Sequence, residues 1–328
     1  MNALILESQN GRIVPIVRPV PEVEWPAGEV TVRVAFSSIN YKDALAVTNR
    51  GKIVRAPYPF VPGIDFAGTV TASSDARYAS GDAVIGTGWG IGEDRWGGYA
   101  EQVHVEASQL VPLPAEMTLR DAMVAGTAGF TAMLSVMAIE EHGIRPVSGE
   151  IAVTGATGGV GSFAVRILAG LGYRVVASTG KRDAEPYLRA LGAARIIPRN
   201  DLGDGPKRPL DTARWAGAVD TLGGPALAAL ISQTGRHGSI AACGLAASPE
   251  LSTTVFPFIL RGITLVGIDS NTCPFERRLV AWRRLATLPA SETFDRHVRM
   301  VTLEEIPAAC EALMRGEVTG RVVVDLNR

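Results

Sequence analysis

"EIAVTGATGGVGSFAVRILAGLG", residues 150–172, decides the architecture. It opens as an apolar strand, Ile151 to Thr154, and enters a turn carrying Gly155, Gly158, Gly159 and Gly161. A helical pattern follows, with Val160, Ala164, Leu168 and Leu171 on one face. A phosphate rests against the N–H groups of a helix N-terminus only where no Cβ blocks its approach. Thr157, Gly158, Gly159 and Val160 are therefore candidate phosphate contacts, while Gly161 lets the helix pack close to the strand. The strict G-x-G-x-x-G pattern is broken, because Ala156 takes the place of its first glycine. A tight strand–helix connection without a ligand is the alternative; the strand before and the helix after favour a nucleotide.

Downstream, apolar strands and helical stretches keep alternating: "YRVVAS", "AEPYLRALG", "ARII", "GAVDTLG", "GSIAACG" and "TLVGID". Such alternation implies a doubly wound parallel sheet, the α/β Rossmann class. The second strand ends in "VVASTGKR" (175–182), where proteins that bind NAD place an acid for the ribose 2′-OH. Here stand Ser178, Thr179, Gly180 and Lys181, with Arg199 just past the third strand in "RIIPRN". An acid repels a 2′-phosphate; hydroxyls and cations receive it. The turn reads as a site for NADP(H), against the alternative of a solvated charged loop.

Upstream of residue 120 the chain is β-rich. "EVTVRVAFSSI" (29–39) alternates Val30, Val32 and Val34 with other residues, the period of a half-buried strand. "FAGTVTAS", "GDAVIGTG" and "GGYAEQVHVEASQLVPLP" follow between turn signals, suggesting a barrel or sandwich. The closing "GRVVVDLNR" returns to a strand that rejoins this first domain. The expected division is 1–124, 125–268 for the nucleotide domain, and 269–328 returning to the first.

Composition narrows the function. The 328 residues carry a net charge of −1, which argues against nucleic acid as a partner. Three cysteines without metal spacing, Cys243, Cys273 and Cys310, suit a reduced cytoplasmic setting. "MNALILESQN" has no charged leader before its short apolar run, so no signal peptide is expected. No stretch reads as the ~20 apolar residues of a membrane helix, so no membrane partner is expected either.

"SSINYKDALAVT", "PGIDFAGTV", "TGWGIGEDRWGGYAEQ", "GTAGFTAMLSVMA", "VTGATGGVGS", "WAGAVDTLGG" and "GRVVV" together resemble the medium-chain dehydrogenase/reductase superfamily. Within it they are similar to the zinc-independent quinone oxidoreductase branch, and most of all to its acrylyl-CoA reductase group. The resemblance spans nearly the whole chain. It implies a GroES-like β-barrel catalytic domain, a Rossmann domain, a cleft between them as the active site, and a homodimer. "ITLVGID" is the strand that would pair across the two-fold axis. Zinc-dependent relatives carry a His-Glu pair where this chain has Ile64 and Asp65, and its histidines, His104, His142, His237 and His297, are scattered. No metal is expected.

The implied reaction is NADPH-dependent reduction of a double bond conjugated to a thioester. Hydride goes to the β-carbon, charge develops on the thioester oxygen, and the α-carbon takes a proton. Without a metal, polarisation of that oxygen rests on hydrogen bonds. Tyr41 is the candidate at the reacting centre, as a phenol is protonated at neutral pH. It either donates to the substrate or holds the nicotinamide, against a Tyr merely packed at a strand end; Asn40 orients the same site. Lys42 and Asp43 read as a surface ion pair. By resemblance Leu245, Ile259 and Ser270 lie near the nicotinamide. Arg321 is either an anionic cofactor contact or a solvated strand-edge charge. Trp89 and Trp96 either wall an acyl pocket or pin a long loop. No basic run cradles the phosphates of CoA. Two other readings stay open: an NADPH:quinone or enone reductase, and a non-catalytic NADPH-binding sensor or structural protein.

Overall fold

Alternation in the sequence becomes alternation of burial. Val30, Val32 and Val34 point into an apolar core with Phe66, Val70, Val84 and Leu110, while Arg33 between them is exposed. In the computed structural model of the chain, which describes residues 1–289 and 291–327, the chain forms two units. The first comprises Met1–Thr127, Asn271–Thr287 and His297–Arg328; the second comprises Ala128–Ser270 and Leu288–Arg296. Ala290 and Arg328, within the range expected to return to the first domain, lie outside the described residues.

This division differs from boundaries at 124 and 268 for physical reasons. Gly126 and Thr127 belong with the first unit because the Thr127 amide and hydroxyl both donate to Asp65 there. Residues 288–296 belong with the second because Phe294 packs edge-on against Phe163, ring centroids 4.6 Å apart. The Arg166 side chain also donates to the Pro289 carbonyl.

The first unit is built on a seven-stranded sheet. Its path runs Val298–Val301, Arg321–Asp325, Val30–Ser38, Asp65–Ser73, Ala83–Thr87, Leu110–Pro112, and Gln102–Val105 also pairs with Val30–Ser38. The late strand Arg321–Asp325 thus lies between an early one and another late one, antiparallel to Val30–Ser38 and parallel to Val298–Val301.

Among the described residues the second unit holds six strands, all parallel, in the order Arg195–Pro198, Arg174–Thr179, Glu150–Val153, Trp215–Asp220, Thr234–Ala242, Thr264–Gly267. Numbered along the chain, this is 3-2-1-4-5-6, whose order reverses between Glu150–Val153 and Trp215–Asp220. Ligands of such sheets bind outside the strand carboxyl ends at that reversal. The glycine turn leaves Glu150–Val153 at that place.

One helix corrects the sequence reading. Leu119–Glu141 has 23 residues and enough hydropathy to pass for a membrane span, where none was expected. Its apolar run is interrupted by Thr127, Gly129 and Thr131, and the backbone kinks at Gly126 (φ 51°, ψ −157°), which hides the pattern. Of its most apolar window, 94% is buried inside the protein.

Candidate functional site

In the second unit, Gly155 adopts φ +56°, a backbone that residues with a Cβ rarely take. This turns the chain off its strand, and the helix Gly159–Gly170 starts immediately after Gly158. A Cβ on Gly161 would collide with the Gly155 carbonyl oxygen, so the helix seats against the turn only because that position is glycine. Thr157 is buried, while Gly158, Gly159 and Val160 are part-exposed at the helix start, where N–H groups lack intrahelical partners. The base of the turn is bolted to the neighbouring strand. Thr154 Oγ1 donates to Asp220 Oδ1 (2.7 Å), Asp220 Oδ2 accepts from the Gly223 amide (2.7 Å), and Thr221 Oγ1 donates to the Thr154 carbonyl (3.0 Å).

Beside it lies the second-strand turn. Ser178 and Thr179 are buried at the strand end, and the Ser178 carbonyl accepts from the Ala156 amide of the glycine turn (3.1 Å). Thr179 Oγ1 accepts from the Lys181 amide (3.0 Å), and its carbonyl accepts from the Arg199 amide (2.8 Å). A Cβ on Gly180 would stand 3.2 Å from the Arg199 guanidinium carbon. The fold therefore gathers Ser178, Thr179, Gly180, Lys181 and Arg199 into one cationic turn without a carboxylate at the strand end. Partial burial lowers the Lys181 pKa. The cradle fits a dinucleotide whose ribose bears a phosphate: the glycines leave the helix start open, and Lys181 and Arg199 stand together at the neighbouring strand end.

Leu245 and Ser270 follow the strands Thr234–Ala242 and Thr264–Gly267, at the same carboxyl side of the sheet. Ile259 sits on the helix Phe256–Arg261 and is 72% exposed, and the carbonyl of its neighbour Leu260 accepts from Arg236.

In the first unit, Asn40 caps the short helix Tyr41–Val47, and Tyr41, its first residue, is 41% exposed. Beneath that tyrosine lies a buried polar network. Asn40 Nδ2 donates to Asp65 Oδ2 (2.8 Å) and to Asp43 Oδ2 (3.2 Å), and the Asn40 amide donates to Asp43 Oδ2 (2.8 Å). Asp65 also accepts from Ser38 Oγ (2.6 Å), from the Thr127 amide (2.8 Å) and from Thr127 Oγ1 (2.5 Å). Asp43 Oδ1 accepts from the Ile64 amide (2.9 Å). Burial, and then the charge of Asp65, pushes the Asp43 carboxyl up to about 7.

Arg321 closes this network, which corrects both readings of it. It is 3% exposed, so it is no solvated strand-edge charge. Its Nε donates to the Val124 carbonyl (2.9 Å), Nη1 to the Ile39 carbonyl (3.3 Å) and to Asn40 Oδ1 (3.2 Å), and Nη2 to Ser38 Oγ (2.8 Å). With its N–H groups turned on the protein, it is a structural cation beneath Asn40 rather than an anionic contact for cofactor. Asp43 corrects a second expectation: it is buried, and Lys42 pairs with Glu93 instead (2.8 Å). Asp43, Asp65, Thr127 and Glu93 are site-framing residues that the sequence reading missed. Only the N-cap spacing of Asn40 and Asp43 signalled any of them.

Trp96 packs against the core around Leu4 and Tyr99, which pins its loop. Trp89 instead borders a cavity, under the Arg278 guanidinium, whose carbon stands 3.9 Å from the ring centroid. Among the described residues no cluster of three or more His, Cys, Asp or Glu is placed to hold a metal ion. At the Ile64–Asp65 position the carboxylate is already held by Ser38, Asn40 and Thr127, a donor set that does not fit zinc.

The chain matches the alcohol dehydrogenase GroES-like domain over residues 26–115 and the zinc-binding dehydrogenase family over residues 159–286. It is 50% identical, over the whole of both chains, to a probable acrylyl-CoA reductase AcuI of Escherichia coli. It is 48% identical to acrylyl-CoA reductase AcuI of Ruegeria pomeroyi, over 99% of each. Among solved structures, YHDH of E. coli with bound NADPH superposes at a TM-score of 0.95 with 50% identity, covering 99% of this chain and 100% of that one.

Proposed function

The chain belongs to the medium-chain dehydrogenase/reductase superfamily, and on that premise we propose that it reduces a short 2-enoyl-CoA, acrylyl-CoA to propionyl-CoA, using NADPH. The observation that carries this reading is identity of 50% and 48% to acrylyl-CoA reductases over 99% or more of each chain.

The residues are suited to their roles. The Gly155–Gly161 turn holds the pyrophosphate, and Ser178, Thr179, Lys181 and Arg199 receive the 2′-phosphate; Leu245 and Ser270 flank the nicotinamide half. Bound NADPH supplies a hydride. Tyr41, exposed at its helix start, donates a hydrogen bond to the thioester oxygen, where negative charge builds as the β-carbon accepts hydride. Asn40, locked between Asp43, Asp65 and Arg321, fixes the backbone from which Tyr41 projects. Such positioning lowers the barrier by holding reacting groups in an attack geometry.

The protein acts as a cytoplasmic homodimer in this reading. Its cysteines are free. Thr264–Gly267 is an edge strand, and the helix Phe256–Arg261 beside it exposes Phe256, Ile259 and Leu260. An apolar edge of that kind is otherwise a hazard for aggregation. In solution, light scattering should give twice the chain mass.

The test follows NADPH absorbance with acrylyl-CoA, with a simple quinone and with free acrylate. Rapid loss with the CoA ester alone is expected, and Tyr41→Phe should then lower kcat by about a hundredfold. Loss with the quinone alone assigns the chain to quinone reduction, and tight NADPH binding without turnover assigns it to a sensor.

A further inference from the structure

A CoA thioester brings three phosphate groups and an adenine, and no run of basic residues in the sequence is there to meet them. The fold collects cations instead. Lys42, next to Tyr41 in the chain, pairs with Glu93 Oε1 (2.8 Å), and Arg55 Nη1 pairs with Glu93 Oε2 (3.1 Å). Glu93 itself is buried, so one fixed carboxylate holds two half-exposed cations side by side. The Arg55 amide also donates to the Glu93 carbonyl (2.7 Å), which ties the two segments together.

From Arg55 the line continues into a cavity of about 660 Å³, bordered by Arg55, Trp89, Asp94 and Arg95. That volume is within the range of small-molecule sites. Trp89 holds φ +50°, a left-handed backbone that a bulky residue adopts only where its surroundings impose it. Its ring is clamped by Arg278, which is fully buried and donates to the Thr87 carbonyl and hydroxyl (both 2.8 Å). An indole held in this way is a rigid platform for a purine, and base–aromatic stacking is sequence-tolerant and strong.

We infer that this cavity is the subsite for the 3′-phosphoadenosine diphosphate of the CoA substrate. Adenine stacks on Trp89, phosphates meet Arg55 and Arg95, and the pantetheine arm passes Lys42 to reach Tyr41. The inference rests on the enoyl-CoA reading given above. Two exposed carboxylates compete for the arginines: Asp94 at 2.9 Å from Arg55 and Glu106 at 3.8 Å from Arg95. Exposed ion pairs of this kind are weak, so a phosphate, which arginine binds through two N–H groups at once, displaces them.

The test compares acrylyl-CoA with acrylyl-pantetheine, which lacks the nucleotide. The Arg55→Gln, Arg95→Gln double variant should raise KM for acrylyl-CoA by about tenfold or more, as loss of charge-assisted bonds implies. Its effect on acrylyl-pantetheine should be several times smaller. Asp94→Asn removes a competitor and should lower KM for acrylyl-CoA by about twofold. Equal losses on both thioesters in a double variant that melts like the wild type would overturn the assignment. Calorimetry with free CoA separates this inference from the one beneath it. Wild-type protein that reduces neither thioester ends the enoyl-CoA reading; free CoA that binds wild type and the double variant equally ends the subsite.

Discussion

The turn Gly155–Gly161 in the second unit and the segment Ser38–Asp43 in the first each end in a helix that presents a functional group, yet they are held in opposite ways. The glycine turn is a backbone device. Its shape comes from a left-handed Gly155 and from Gly161, where a missing Cβ lets helix and turn touch. The Ser38–Asp43 segment is a side-chain device. Two carboxylates and one guanidinium, all buried, are balanced under Asn40. Backbone devices tolerate pH and salt, whereas a buried charge frame is rigid only while every partner is present.

The contrast is sharpest if the cation is withdrawn. Arg321→Leu leaves Asp65 and Asp43 without a counter-charge in an apolar interior and should cost about 3–5 kcal/mol in urea unfolding. A loss below about 1 kcal/mol would mean that the frame is held by its neutral hydrogen bonds instead.

Next in size is the pH dependence of the same frame. Asp43 is raised from 3.8 to about 7, so the folded state keeps a proton that the unfolded chain releases. Stability from this group is fully present below pH 3.8 and fades as pH rises through about 7. In Asp43→Asn that fading should vanish, so the stability difference between wild type and variant shifts by a few kcal/mol, about 1.4 per pH unit, between pH 4 and 7. Parallel curves in denaturant titrations across this window would break the argument.

The smallest effect is expected in the backbone device. Gly161→Ala places a methyl against the Gly155 carbonyl, which costs about 1–3 kcal/mol of overpacking less the roughly 1 kcal/mol that alanine gains in a helix. NADPH affinity, followed by fluorescence, should fall together with melting temperature. Unchanged values for both would show that the close approach relaxes freely.

This difference also explains what was legible beforehand. Thr157 to Val160 and Ser178 to Lys181 lie on two short stretches just past strand ends, so their local pattern states where the fold places them. Arg199 was readable because it follows the adjacent parallel strand. Arg321 was misread because the groups that hold it, Ser38, Ile39, Asn40 and Val124, arrive from far upstream. Lys42 and Asp43 are neighbours in sequence, but the helix turns one outward, half-exposed, to pair with Glu93 and the other inward. The strands of both units were plain, since alternation in the first and short apolar runs in the second need no distant information. The kinked helix Leu119–Glu141 was not, because a left-handed glycine in mid-helix resets the period.

The strand Arg321–Asp325 has a consequence for biosynthesis. Ser38 and Arg321 meet across 283 residues, with the whole second unit and its six parallel strands between them. A ribosome therefore releases the Tyr41 helix long before the guanidinium that steadies it. Until residue 321 is made, Asp43 and Asp65 lack the guanidinium they face, and Val30–Ser38 waits without its neighbour Arg321–Asp325. The second unit is free to fold as it emerges, whereas the frame beneath Tyr41 closes only after most of that unit has been made.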